Sequence, residues 1–326
     1  MIPRYGRGAC AAIALVAIIP FGAAFAQSAY PVKPIRFIVP FPPGGGTDIV
    51  TRLVANKLTE TLGWQFVVDN RSGAGGSIGL EVAARAPGDG YTIVTGQTSN
   101  LTINPALYSK LPYDPFRDFV PVTLMASSPV VVVTGAKGSY RTVADLIEAA
   151  KARPDQVTYA TSGNGGTGHL TSELLQRAAG VKLLHVPYKG ATQVMPDLIG
   201  GRLNVFFTTL EAAAPHLKAG TIRLLALSSA KRVPSLPDAP TIAESGYKGL
   251  EATNWHGAFV PARTPPAIVT RLSAEITRAL AMPDVQQKLA GGAGPVEPGP
   301  AALAAVLKAD YDKWGRIVRE AGIKAE

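Results

Sequence analysis

The chain has 326 residues, 47% hydrophobic and 17% charged, with a net charge of +9 and one cysteine. That length suits one large domain or two ordinary ones. Its Lys and Arg residues are scattered, with no basic stripe or interleaved aromatics, so no nucleic acid is expected as a partner. The positive balance reads as a solvated surface, with mild steering of anionic solutes as the sharper alternative.

Arg4 and Arg7 form a positive n-region, residues 9–21 are almost wholly apolar, and Ala24-Phe25-Ala26 offers a small-x-small cleavage site. This is the pattern of a secretory signal peptide over residues 1–26, cleaved after Ala26 and too short to span a membrane. Its removal takes away Arg4 and Arg7 and lowers the charge from +9 to +7. Cys10 lies inside the segment, so the mature chain is expected to have neither a disulfide nor thiol chemistry. No later stretch has 18 uninterrupted apolar residues, which predicts a soluble mature protein.

The apolar, β-branched run Ile35-Arg36-Phe37-Ile38-Val39 predicts a buried strand. Pro40-Phe41-Pro42-Pro43-Gly44-Gly45-Gly46-Thr47-Asp48 follows, and Val50, Leu53, Val54, Leu58 and Leu62 then recur at helical spacing. Glycines remove the side chains that keep a ligand from the backbone, and the helix start adds free N–H groups and a positive dipole end. Such a turn is an anion seat. Residues 64–69 and 91–95 predict two more strands, separated by the glycine-rich stretch 71–77 and a short helix. Residues 97–100 form a polar loop, and residues 104–121 read as a crossover. Residues 129–134 predict a strand, and Thr142-Val143-Ala144-Asp145 a capping box opening a helix to Ala152.

The opening pattern then returns. Residues 157–161 predict a strand, Ser162-Gly163-Asn164-Gly165-Gly166-Thr167-Gly168-His169 the loop, and Leu170, Leu174, Leu175 and Ala178 the apolar face of a helix. A strand at 183–187, Tyr188-Lys189-Gly190 and a helix to Gly200 follow. Both halves thus read as strand, glycine loop and helix, twice over, which suggests two similar α/β lobes whose glycine loops face each other. Strands are predicted at 203–208, 223–228 and 255–261, the second as a return crossover. Helices are predicted around Pro215-His216, after Pro265-Pro266 and from Pro300 onward, and residues 234–249 are turn-rich.

Enzyme signatures fit poorly. Gly163, Gly165 and Gly168 match a dinucleotide fingerprint, but Lys189 stands where the ribose-binding acid belongs. Gly75-Gly76-Ser77-Ile78-Gly79 matches a nucleophile elbow, yet Ser77 lies too far from the preceding strand. His169, His185, His216 and His256 have no ligand partner at i+3 or i+4, so no metal is expected. His169 reads either as a ligand-site or loop-bracing residue or as a surface position. Asp48 reads either as a helix-start residue paired with Arg52 or as a cleft acceptor. With no arginine in either glycine loop, a carboxylate would be held by main-chain donors and the hydroxyls of Thr47, Ser99, Ser162 and Thr167.

These loops, together with Asn70-Arg71-Ser72-Gly73-Ala74-Gly75-Gly76, Ile103-Asn104-Pro105-Ala106-Leu107-Tyr108, His185-Val186-Pro187-Tyr188-Lys189-Gly190 and Pro237-Asp238-Ala239-Pro240-Thr241-Ile242-Ala243-Glu244-Ser245-Gly246, resemble the Bug (TctC-like) family. Those are periplasmic solute-binding proteins of tripartite tricarboxylate transporters. The resemblance runs from about Tyr30 to the C-terminus. It implies an α/β, type II periplasmic-binding-protein fold of two lobes, each a mostly parallel sheet flanked by helices, with the ligand in the cleft between them. Residues 27–125 and 230–326 would form one lobe and 126–229 the other. It also implies a non-enzymatic, monomeric periplasmic protein with no cofactor, which passes a small organic carboxylate, with aromatic acids and dicarboxylates among the options, to membrane transporter subunits or a sensor. By position, the ligand would meet Phe41, Gly45, Gly46, Thr47 and Asp48 from one lobe. Ser162, Gly165, Gly166, Thr167, His169 and Tyr188 would meet it from the other, with Ser99 at its distal end. Two departures from the family, Thr208-Thr209 and Asn100-Leu101, fall at that distal end. They favour a neutral or hydroxylated ligand group beside Thr208. A periplasmic enzyme acting on a carboxylated substrate is the alternative.

Overall fold

The computed structural model describes residues 1–3, 30–290 and 296–323. The expected signal peptide, its cleavage site and Cys10 lie outside the described residues. Contacts separate Met1–Tyr30 from Pro31–Glu326, and the fold below is that of the second unit.

In chain order the strands are β1 Ile35–Val39, β2 Phe66–Asn70, β3 Thr92–Gln97, β4 Phe119–Gly135, β5 Thr158–Thr161, β6 Leu184–Pro187, β7 Val205–Thr209, β8 Ile222–Leu227 and β9 Thr253–Pro261. The helices are α1 Gly46–Leu62, α2 Ser77–Ala84, α3 Asn104–Leu107, α4 Val143–Ala152, α5 Thr167–Ala179, α6 Ala191–Ile199, α7 Leu210–Lys218, α8 Pro266–Leu280, α9 Pro283–Ala290 and α10 Pro300–Ala321. The described strands form one curled sheet in the order β2-β1-β3-β9-β4-β7-β5-β6, with β8 also on β4.

The sheet has two halves joined by one long strand. Parallel pairing links β2, β1 and β3 at one end and β6, β5 and β7 at the other. The crossing strands are antiparallel. β4 pairs with β9 as far as Pro129 and with β7 and β8 from Val130 on. The predicted strand at 129–134 is therefore the second half of a 17-residue strand. Its first half is hard to see in the sequence because it contains Pro121 and Pro129. The first sits beside one of two register shifts and the second at the change of partner, where a missing N–H is tolerated.

Strand periodicity divides the core. Val130 and Val132 of β4 pack with Tyr159, Phe207 and Leu146, whereas Val131 and Val133 pack with Phe206, Leu198 and Leu227 on the opposite face. In the other half, Ile38, Val94, Trp255 and Phe259 form a separate cluster. Helix α10 joins two of these, placing Leu303 and Leu307 against the third cluster and Trp314 and Val318 against the first. This two-lobed α/β layout is the expected architecture. At α4 the capping box is complete: Thr142 accepts from the Asp145 N–H while Asp145 accepts from the Thr142 N–H. Residues 97–100, read as a loop, instead close β3 and open a π-helical turn over Ser99–Ile103.

Candidate functional site

The first glycine loop runs from the end of β1 into α1 and is tied down by Asp48. One carboxylate oxygen accepts from the Gly44 N–H at 2.9 Å and the other from Asn70 Nδ2 at 2.9 Å. Arg52 Nε lies 2.9 Å from both oxygens. Asn70 also donates to the Phe41 carbonyl and accepts from Arg52. Burial alone would raise the Asp48 carboxyl, but Arg52, the Gly44 amide and Asn70 outweigh it and hold the group below its ordinary value. Of the two sequence readings of Asp48, the structural one describes these contacts.

A different device braces the second loop, between β5 and α5. His169 Nδ1 accepts the Gly165 N–H at 3.1 Å, and the His169 ring stacks on His185 with centroids 4.4 Å apart. His185 stacks in turn on Tyr159 at 4.6 Å, and its Nε2 lies 2.8 Å from Thr161 Oγ1. Burial, with a smaller contribution from His169, pushes the His185 imidazole down to about 4, so it is neutral near pH 7.

Each glycine loop closely approaches another part of the fold, at positions where an added side chain would crowd its neighbour. A Cβ on Gly46 would stand 2.7 Å from Thr209 Oγ1, and one on Gly44 would stand 2.8 Å from Thr192 Cγ2. A Cβ on Gly190 would reach Pro42 at 3.1 Å, and one on Gly165 would collide with Leu107. Gly44 and Gly165 also have φ of +80° and +71°, which L side chains rarely adopt.

Between the loops lies a cavity of about 100 Å³, room for several waters or one small organic molecule. Four helices begin on its wall: α1 at Gly46, α5 at Thr167, α6 at Ala191 and α7 beside Thr209. Their N-cap residues are Gly45, Gly166, Gly190 and Thr209, and none supplies a side-chain cap. The first N–H groups of these helices thus have no capping side chain, in contrast to α4. Among the described residues, no Asp, Glu, Lys or Arg lines the cavity. A larger hollow of about 670 Å³ beside α1 and α7 is lined mostly by apolar side chains such as Ile49, Leu53, Leu217 and Leu236, together with Glu211, Lys218 and Lys288.

The cavity brings together Phe41, Gly45, Gly46, Thr47, Ser99, Ser162, Gly165, Gly166, Thr167, His169 and Thr208. Asp48 and Tyr188 are outside its lining. Asp48 is occupied in the loop network, and the Tyr188 hydroxyl donates to Asp197 Oδ2 at 2.6 Å, a bond that raises its pKa. Sequence reasoning missed Gln97, Asn104, Asn164, Gly190, Thr209, Asn254 and His256. A signal for the last two was present: Asn254 and His256 alternate around Trp255, which places two polar residues on one face of a strand. Among the described residues, no group of three or more His, Cys, Asp or Glu side chains could hold a metal.

Two lobes closing over a cavity walled by helix starts define a periplasmic-binding-protein fold. Residues 50–323 match the family described as the tripartite tricarboxylate transporter family receptor, TctC. BugT of Bordetella pertussis is 36% identical over 311 residues, covering 95% of each chain. Rpa4515 of R. palustris, solved with adipate, superposes with a TM-score of 0.85 at 37% identity, covering 90% of this chain and 99% of that one. MatC of Rhodopseudomonas palustris, solved with bound malate, gives 0.83 at 30% identity, covering 89% and 100%. The chain belongs to the TctC (Bug) family of periplasmic solute-binding proteins. No helix among the described residues is long and apolar enough to cross a membrane.

Proposed function

We propose that this protein binds a small organic carboxylate in the cavity between its two glycine loops, without turning it over. The observation that carries this reading is the meeting of four uncapped helix N-termini in a cavity without charged side chains. Each helix end contributes about 0.3–1 kcal/mol toward an anion, and each charge-assisted hydrogen bond about 1.5–3 kcal/mol. Micromolar affinity needs about 8 kcal/mol, so several of these donors must act together on one carboxylate. The relatives solved with adipate and malate support a small acid as the ligand.

The first-loop contacts would come from Phe41, Gly45, Gly46 and Thr47, and the second-loop contacts from Ser162, Gly165, Gly166, Thr167 and His169. Ser99 and Thr208 would line the remainder. Residues 27–125 with 230–326, and residues 126–229, would be the lobes, a division supported by the change of partner along β4. Export by residues 1–26, release into the periplasm as a monomer, and delivery to transporter subunits or a sensor complete the reading. Calorimetry against mono-, di- and aromatic carboxylates tests it: a tight complex should return its ligand unchanged. Turnover by the pure protein would overturn it in favour of an enzyme.

A further inference from the structure

The hollow of about 670 Å³ lies between α1, α7, α9 and residues 235–236, and it shares no lining residue with the carboxylate cavity. Packed interiors leave few voids larger than a water molecule. Small-molecule sites, in contrast, run to about 300–1,000 Å³ and combine apolar walls with a few polar groups. The apolar wall here comes from Ile49 and Leu53 of α1, Leu217 of α7 and Leu236. Ile49 is 37% exposed, so water meets part of that wall.

The charged groups in the lining are not equivalent. Glu211, the second residue of α7, is engaged elsewhere: its Oε2 accepts from Ser128 and its Oε1 lies 3.4 Å from His256 Nε2. Lys218, the last residue of α7, is exposed and makes no hydrogen bond or ion pair among the described residues. Lys288, in the last turn of α9, feels only the attraction of Asp284, whose carboxylate is itself 2.7 Å from Lys57 Nζ. Seven helical steps separate Glu211 from Lys218, about 10 Å along α7. The hollow therefore offers about 10 Å of wall, mostly apolar, and two ammonium groups with charge to spare. A purely apolar guest would leave the ammonium groups unmatched, and a short acid would leave the wall wet. A molecule with both parts buries the wall and pairs the charge.

We propose that this hollow is a second binding site, for a free amphipathic organic anion. Lys218 and Lys288 hold its single anionic head, and an apolar body of about 10 Å lies between α1 and α7. The proposal goes beyond the carboxylate reading, which concerns another cavity and smaller, more polar acids.

Calorimetry with octanoate as the probe tests it. Octanoate should bind about tenfold or more tighter than butyrate, which lacks four of its methylenes. Octylamine, with the same body and the opposite charge, should bind at least about fivefold more weakly than octanoate. The double variant Lys218→Glu/Lys288→Glu alters two exposed side chains remote from the carboxylate cavity. It should lose about fivefold or more in octanoate affinity and keep its affinity for adipate. In the wild-type protein, the methyl NMR signals of Leu53, Leu217 and Leu236 should move with octanoate and stay put with butyrate, a readout independent of any variant. Octanoate affinity untouched by the charge reversal, an equal loss for adipate, or silent methyls would each overturn the proposal. Lysine-dependent sedimentation on phosphatidylglycerol vesicles without octanoate binding would also overturn it and give the hollow to a membrane surface. If octanoate binds here as described and no short acid binds at all, the carboxylate reading fails and the second site stands.

Discussion

Gly46→Ala separates the two effects a glycine has in this loop. Gly46 is the first residue of α1, and its φ is not positive, so alanine suits the backbone and should stabilise the ligand-free protein by up to about 1 kcal/mol. In the structure, however, the added Cβ stands 2.7 Å from Thr209 Oγ1, closer than real Cβ contacts come. Overpacking of this kind costs about 1–3 kcal/mol, borne by any state in which α1 and the start of α7 come this close. Ligand affinity should therefore fall by a factor of about 5–150, while the melting temperature without ligand holds or rises. Thr209 supplies no side-chain cap to α7, so Thr209→Ala can remove the obstacle at little cost. The double variant should recover most of the lost affinity. Isothermal calorimetry on the two single variants and the double variant gives the coupling directly. Wild-type affinity in Gly46→Ala, or no recovery in the double variant, would show that the close approach of Gly46 to Thr209 is not needed to hold the ligand.

Other expectations follow from the loop braces. Asp48→Asn leaves the Gly44 amide and Arg52 without their carboxylate and should lower stability by about 1–3 kcal/mol, measured by urea unfolding; a neutral effect would contradict the bracing role. Because the folded Asp48 carboxyl lies below its ordinary value, its stabilisation should be present above about pH 4 and lost as pH falls through the folded value. Asp48→Asn should flatten that part of the stability profile. His185 titrates in the opposite sense for a base: its folded value of about 4 lies below an unfolded value of about 6.5. Its contribution should be complete above pH 6.5 and decline toward pH 4, at no more than about 1.4 kcal/mol per pH unit. His185→Gln should remove that slope, and a slope identical to wild type would show that the stacked ring is not its source.

Local chemistry was readable from the chain; distant partners were not. The Thr142–Asp145 capping box and the two strand–glycine–helix units are written within a few residues of each other, and the structure has them as expected. The role of β4 depends on β9, more than a hundred residues later, so its two prolines looked like breaks rather than a bulged edge and a crossing point. Asp48 and Tyr188 illustrate the same limit. Their neighbours in sequence place them near the loops, but Asn70 and Asp197 decide where their polar atoms point. Asn254 and His256 escaped notice because a polar face on a late strand acquires meaning only when α5 and α7 are brought against it.

In the proposed seat, uncapped helix starts rather than charged side chains hold the ligand's carboxylate. The most direct test is calorimetric comparison of a bound acid with its primary amide, which keeps the shape and removes the charge. The acid should bind and the amide should lose at least about tenfold in affinity, the worth of charge-assisted bonds and helix ends combined. Equal binding of acid and amide would contradict the account.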